Sequence, residues 1–137
     1  MWKKIAIIGG GNLGTAIAEG LLKSRFSKPA DIIITKRNTA TLQAFKKRGV
    51  ETLSDNNAAV RKSDVIILCV KPFQVIDVLT SIKKELNSNR LVISVVTGGM
   101  ISEMEEAVGK KIPLLRAMPN TAIAIHQSVT CICSKYA

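Results

Sequence analysis

Short runs of β-branched and aliphatic residues alternate along this chain with longer segments of helical periodicity. The strongest run, residues 65–70, contains six apolar residues in a row with no polar alternation. Such a run is typical of a strand that is buried on both faces of a parallel sheet. Similar runs occupy residues 4–8, 32–35, 50–53, 91–95 and 112–116. Strands that alternate with helices favour parallel pairing through right-handed crossovers, so the sequence predicts an α/β fold with a doubly wound, mainly parallel sheet.

The segments between these runs carry apolar residues at helical spacing. They predict helices over residues 12–23, 39–48, 56–62, 72–86 and 102–108, and residues 128–133 form a predicted last strand. Thr39 fits the N-cap of the second helix and Gly49 its C-terminal stop. Pro72 fits a first helical turn, where its missing N–H costs nothing. No repeat, low-complexity tract or linker interrupts the pattern, so residues 1–137 are predicted to form one domain.

Composition limits the class of protein and the kind of partner. The 137 residues are 47% apolar, enough for one core. No apolar run approaches the ~20 residues that span a bilayer, so no membrane partner is expected. Three unevenly spaced cysteines indicate a reducing compartment, with the cytoplasm as the default. The net charge of +10 is dispersed, and the chain lacks a helix-turn-helix pattern and an aromatic-rich surface, so no nucleic-acid partner is expected.

A glycine-rich turn follows the first predicted strand. Gly9, Gly11 and Gly14 fit the pattern G-x-G-x-x-G, which in this context predicts a Rossmann-like dinucleotide-binding domain. Gly9 permits the tight turn, Gly11 lets the backbone approach a pyrophosphate, and Gly14 lets the helix pack closely on the sheet. The predicted cofactor contacts in this turn are Gly9, Gly10, Gly11, Asn12, Leu13 and Gly14. The alternative is a glycine-rich turn that binds no ligand.

The end of the second predicted strand bears on which dinucleotide is bound. Enzymes that use NAD place an acidic residue there to accept the ribose hydroxyls, but this chain has none between Asp31 and Glu51. It has Lys36, Arg37 and Asn38, which suit the 2′-phosphate of NADPH. The sequence therefore predicts NADPH in preference to NADH. Alternatively, Lys36 and Arg37 are exposed charges at a helix entrance.

Six motifs together give the chain a specific resemblance. They are GGGNLG at 9–14, TKRN at 35–38, DN at 55–56, CVKP at 69–72, SVVTG at 94–98 and RAMPNT at 116–121. In order and spacing the whole chain resembles the pyrroline-5-carboxylate reductase family. The resemblance implies further cofactor contacts at Asn56, Val70, Lys71, Pro72, Val95, Val96, Thr97 and Asn120. For Lys71 a solvated loop cation is the alternative, and for Asn120 a simple turn residue.

The resemblance implies an enzyme: an oxidoreductase that uses NAD(P)H to reduce the C=N bond of 1-pyrroline-5-carboxylate, giving L-proline in proline biosynthesis. It also implies a C-terminal helical domain, absent from this chain, that forms a homo-oligomer and supplies much of the imine site. The isolated chain is therefore expected to be incompetent, and no catalytic residue is assigned. Two alternatives stay open: a non-catalytic NADP-binding regulatory module, and a reductase for a related cyclic imine.

Two departures from the family pattern flank the expected nicotinamide site. Residues 97–99 read Thr-Gly-Gly where the family usually has Ala-Gly and an apolar residue, and Ala122 replaces a usual proline. A zinc site would need more ligands than Cys131, Cys133 and His126, so no metal is expected.

Overall fold

The helices of this chain pack on a single β-sheet. The computed structural model describes residues 4–96, 101–118 and 131–134. Its strands are β1 (Ile5–Ile8), β2 (Ile32–Thr35), β3 (Glu51–Leu53), β4 (Val65–Leu68), β5 (Leu91–Ser94), β6 (Leu114–Met118) and β7 (Cys131–Ser134). Their order across the sheet is β3-β2-β1-β4-β5-β6-β7. The pairings from β3 to β6 are parallel and β7 runs antiparallel to β6, which confirms the mainly parallel α/β prediction.

Helices cover both faces of this sheet. They are α1 (Asn12–Lys23), α2 (Gln43–Lys47), α3 (Asn56–Arg61), α4 (Val75–Ile82) and α5 (Ile101–Val108). Alternate residues of β1 point to opposite faces: Ile5 and Ile7 pack in a core with α1 and α2, whereas Ala6 and Ile8 pack in a core with α3, α4 and α5. The fold is therefore doubly wound, as predicted.

The central strand is β4, which lies between β1 and β5. Ile66, Ile67 and Leu68 are all buried, as the uninterrupted apolar run predicted. The strand is shorter than predicted, however, and ends at Leu68 instead of residue 70. Its pairing with β1 ends there because Gly9, at φ +108°, turns the chain away after Ile8.

Several helix boundaries also differ from the prediction. Asn38 is the N-cap of the second helical segment, because its side-chain oxygen accepts a hydrogen bond from the Ala40 N–H at 3.1 Å, so the assignment of Thr39 was wrong. That segment begins as a 3-10 turn, Thr39–Leu42, before α2. The segment predicted over 72–86 consists of a 3-10 turn at Pro72–Gln74, then α4, then a 3-10 turn at Lys83–Glu85. Leu86 follows the last helical residue but is buried, which is why the apolar periodicity included it.

The last two strands along the chain also differ from the prediction or lie partly outside the described ranges. β6 begins at Leu114, after Pro113, instead of residue 112. Of the predicted strand 128–133, only residues 131–133 are described; they lie in β7, which extends to Ser134. Within the described ranges, no helix has the length and apolar character needed to cross a bilayer.

Candidate functional site

A cavity of about 440 Å³ opens at the carboxyl ends of the strands, where β1 lies between β2 and β4. This is the point where successive crossovers leave the sheet in opposite directions, and ligands of open α/β sheets bind at such points. The cavity volume is in the range typical of small-molecule sites. The lining residues are Ile8, Gly9, Gly10, Gly11, Thr35, Lys36, Arg37, Ser54, Asn56, Cys69, Val70, Lys71, Gln74 and Val78.

The turn after β1 is held tightly against its neighbours. The N–H groups of Gly9 and Gly10 donate to the Thr35 carbonyl oxygen, at 3.2 and 2.8 Å. A Cβ on Gly9 would lie 2.7 Å from the Cys69 carbonyl oxygen, and a Cβ on Gly14 would overlap the Gly9 carbonyl oxygen. Close packing of β2, β4 and α1 around the turn therefore requires glycine at both positions.

Gly11 is different, because nothing in the described protein requires glycine there. Its φ of −82° suits any residue, and an added Cβ would meet no protein atom within 4 Å. Gly11 is the N-cap of α1 and has no side chain to cap it, so the first-turn N–H groups have no side-chain partner at this end. The result is an open cradle at a positive helix end, a geometry that favours an anion.

The cavity is electropositive. Lys36, Arg37 and Lys71 line it, and no Asp or Glu is among its lining residues. Within the described ranges, the ion pairs join other residues: Arg48 with Glu19, Arg61 with Glu85, and Lys62 with Glu51. The charges of the three lining cations are therefore available to a bound anion.

Asn56 and Cys69 line the cavity from the segments that follow β3 and β4. Asn56 is the first residue of α3, whose N-cap Asp55 accepts a hydrogen bond from the Asn57 N–H at 2.9 Å and so fixes the turn. Burial raises the pKa of the Cys69 thiol to about 12. At neutral pH Cys69 is thus a protonated thiol, unsuited to act as a nucleophile.

The predicted contact residues fall into three groups. Those that line the cavity are Gly9, Gly10, Gly11, Lys36, Arg37, Asn56, Val70 and Lys71. Those that lie elsewhere in the described structure are Asn12, Leu13, Gly14, Asn38, Pro72, Val95 and Val96. The last two, Thr97 and Asn120, lie outside the described residues, as do the side chains of Cys131, Cys133 and His126.

Four members of the second group have local structural roles. Asn38 caps the 3-10 turn after β2, and Leu13 packs against the core beneath α1. Val95 and Val96 follow β5, and their side chains are buried in the two cores on opposite faces of the sheet. Among the ranges described, no cluster of three or more His, Cys, Asp or Glu residues could hold a metal ion.

Sequence reasoning did not assign six of the lining residues: Ile8, Thr35, Ser54, Cys69, Gln74 and Val78. Ser54 directly follows β3, so the rule that selected Asn56 could have found it. Gln74 and Val78 are four residues apart along the helical segment after β4, a spacing that puts them on one helix face. Whether this helix face borders the cavity depends on the direction in which the helix leaves the sheet.

The chain is similar to known proteins over most of its length. A family model described as "NADP oxidoreductase coenzyme F420-dependent" matches residues 4–98. Pyrroline-5-carboxylate reductase 1 of Dictyostelium discoideum is 43% identical over 128 residues, which cover 93% of this chain and 23% of that protein. The chain spans about half the length, or less, of the curated relatives that it matches.

Solved structures give the same result. A pyrroline-5-carboxylate reductase from Coxiella burnetii superposes with a TM-score of 0.90 at 34% identity, covering 98% of this chain and 50% of that one. The Plasmodium falciparum pyrroline carboxylate reductase with NADP bound gives a TM-score of 0.86 at 28% identity, covering 97% and 48%. The resemblance indicated by the sequence motifs is thereby confirmed.

Proposed function

Because the chain belongs to the family described as NADP oxidoreductase, coenzyme F420-dependent, we propose that it is the NADPH-binding part of a pyrroline-5-carboxylate reductase. Its proposed reaction is the reduction of 1-pyrroline-5-carboxylate to L-proline, a step of proline biosynthesis. The named relatives and the superposition on the Coxiella burnetii reductase support this assignment. The proposal covers one domain, residues 1–137, which would act together with a helical, dimer-forming domain of the kind that the family resemblance implies.

The observation that carries the proposal is the open cradle at Gly11. Gly11 lies at the N-cap of α1, where neither the backbone conformation nor the packing restricts the residue to glycine. A Cβ at this position would project into empty space. A pyrophosphate needs close approach of the backbone and free N–H groups at a helix end, and both are present. The residues of the cavity thus fit a dinucleotide.

The charges support NADPH in preference to NADH. Lys36 and Arg37 follow β2, where the ribose of the adenosine is expected, and no acidic residue lines the cavity to accept ribose hydroxyls. The guanidinium of Arg37 offers a planar fork of donors to a 2′-phosphate. Ser54, which follows β3, and Asn56, the first residue of α3, add polar groups to the lining of the cavity.

This chain would contribute binding and orientation. Bound NADPH would supply the hydride that reduces the imine carbon. The cradle at Gly11 and the cations would hold the phosphates, while Val70 and Lys71 would border the opposite side of the dinucleotide, which fixes where the reduced ring lies against the imine. No side chain of the described cavity is assigned as a proton donor. We propose the cytoplasm as the compartment, in keeping with the half-buried free thiol of Cys69.

The first prediction is that the chain binds NADPH but does not reduce the imine alone. Titration followed by NADPH fluorescence should show saturable binding, whereas addition of 1-pyrroline-5-carboxylate should cause no oxidation, since the proposed imine site needs a second domain. A chain that folds but does not bind NADPH would contradict the proposal.

A chimera distinguishes between the two candidate functions, a reductase and a non-catalytic regulatory module. Residues 1–137 would replace the matching segment of the Coxiella burnetii reductase, to which they are 34% identical. Imine-dependent oxidation of NADPH by the chimera supports the reductase. A folded chimera that binds NADPH but reduces no imine supports the regulatory module instead.

The second prediction concerns Gly11→Ser. Serine is a better N-cap than glycine and fits the observed backbone, so thermal stability should be unchanged or slightly higher. Its Cβ and hydroxyl would occupy the cradle, and the clash should weaken NADPH binding by roughly five- to a hundredfold, equivalent to about 1–3 kcal/mol. Unchanged affinity in a stable variant would show that the pyrophosphate lies elsewhere.

A further inference from the structure

We infer that Gln74 is a positioning residue, which holds the loop after β4 in the conformation that binds the dinucleotide. The inference rests on the proposed function. Gln74 closes the turn that begins at Lys71: its backbone N–H donates to the Lys71 carbonyl oxygen at 2.8 Å, and its side-chain oxygen accepts from the Lys71 N–H at 3.2 Å. Residues 71 and 74 are thus joined by two hydrogen bonds in opposite directions.

The loop after β4 needs such a restraint. Lys71 is extended, at φ −71° and ψ 151°, and Pro72 cannot donate a backbone hydrogen bond. The helical segment starts with a 3-10 turn of three residues, a weaker start than an α-helical turn. Of the described side chains, only that of Gln74 is seen to bond the Lys71 N–H, so it secures the end of the loop that faces the cavity.

The loop is also in contact with the glycine turn. The Cβ that Gly9 lacks would lie 2.7 Å from the Cys69 carbonyl oxygen and 3.2 Å from the Val70 nitrogen. A shift of Lys71 would therefore be transmitted through Val70 toward the backbone that cradles the pyrophosphate. This placement makes Gln74 act through the loop, whichever dinucleotide is bound.

Glutamine is suited to the position because it is neutral. Gln and Glu both supply the acceptor oxygen that such a reciprocal cap requires. Glutamate, however, would add a negative charge to a cavity whose lining residues carry only positive charges. The two substitutions Gln74→Met and Gln74→Glu therefore separate the roles of the acceptor and of the charge.

The test measures dissociation constants for NADPH and NADH with three variants. Gln74→Met keeps the size but removes the acceptor, so Kd should rise roughly three- to tenfold for both cofactors, the loss expected for one hydrogen bond. Gln43→Met, at the exposed start of α2, is the matched control and should leave both constants unchanged. Gln74→Glu should bind weakly at low salt and recover at about 0.5 M salt, where the Debye length is only about 4 Å.

Three outcomes would overturn the inference. Unchanged affinity in Gln74→Met shows that the acceptor is dispensable. Equal losses in the methionine and glutamate variants at high salt show that the amide nitrogen acts, instead of the oxygen that holds Lys71. A loss in Gln74→Met that matches a fall in melting temperature shows a merely structural role. Wild-type chain that binds neither cofactor would instead contradict the proposed function.

Discussion

Arg37 is the residue on which the choice between NADPH and NADH depends. Arg37 lines the cavity, and its guanidinium has no ion-pair partner within the described part of the chain. A charge-assisted contact with the 2′-phosphate is worth about 1.5–3 kcal/mol, so Arg37→Ala should weaken NADPH binding by roughly one to two powers of ten. NADH lacks this phosphate and should lose little affinity. Lys36→Ala should have a smaller effect, because an ammonium offers a point charge without the planar fork.

Calorimetric titration with both cofactors checks the prediction. Equal losses of NADPH and NADH affinity in Arg37→Ala would mean that the guanidinium stacks on the adenine or supports the loop. The pattern also contrasts with that expected for Gln74→Met, in which both cofactors are affected alike.

At this scale the sequence identified residues whose position follows from chain direction alone. Gly9 and Lys36 directly follow β1 and β2, and Gly11 and Arg37 lie within three residues of the same strand ends, so all four lie at the carboxyl edge of the sheet, where the cavity is. Gln74 could not be found in this way, because a helical residue borders the cavity only if its face is turned toward it. A motif also does not show which of its side chains are buried. Those of Val95 and Val96, for example, lie in the two cores.

Among the elements, α3 and the segment before β5 are joined by Arg90. Its Nε donates to the Glu85 carbonyl oxygen at 2.8 Å, and its Nη1 donates to the Ser63 carbonyl oxygen at 2.7 Å. Nη2 adds a longer bond of 3.4 Å to the Arg61 carbonyl oxygen. One partly buried guanidinium therefore satisfies backbone carbonyls from the ends of two helical segments, which α-helices leave unpaired.

Arg90→Lys should destabilise the fold. A lysine ammonium cannot reproduce this fork, and the loss of one or two charged hydrogen bonds should lower the free energy of unfolding by about 1.5–3 kcal/mol. Arg61→Lys is the matched control: Arg61 pairs with Glu85 at 3.0 Å on the surface, and this change should cost less than about 1 kcal/mol. Urea denaturation measures both. Equal effects of the two substitutions would show that water donates hydrogen bonds to these carbonyl oxygens when Arg90 is replaced.

The sequence predicted the type of each described element better than its ends. Runs of β-branched residues predicted the strands correctly, because such residues favour pleated, buried positions. The ends depend on tertiary pairing: β4 ends where its partner β1 turns at Gly9, which the apolar run through Val70 does not encode. The division of residues 72–86 into 3-10 and α-helical parts leaves apolar spacing almost unchanged, so periodicity could not detect it.

At the scale of the whole molecule, the helices cover both faces of the sheet. Large hydrophobic side chains that remain exposed in the described ranges are Phe26, Phe73 and Ile76, too few for a broad apolar surface. Because the proposal places the dimer-forming surface in a further domain, we expect the 137-residue chain to be monomeric at low micromolar concentration. Sedimentation equilibrium measures the mass, and a tight dimer would contradict the proposal that oligomer formation needs a further domain.

The strand order has a consequence for how the protein is made. Ile8 of β1 pairs with Thr35 on one side and with Leu68 on the other, so the second neighbour is encoded 60 residues downstream. At about 5–20 residues per second, a ribosome needs roughly three to twelve seconds to supply it. Until then the emerging β1 has at least one open edge, with isoleucines that the finished fold buries completely or nearly so. The nascent chain is therefore most in need of a chaperone before β4 leaves the exit tunnel.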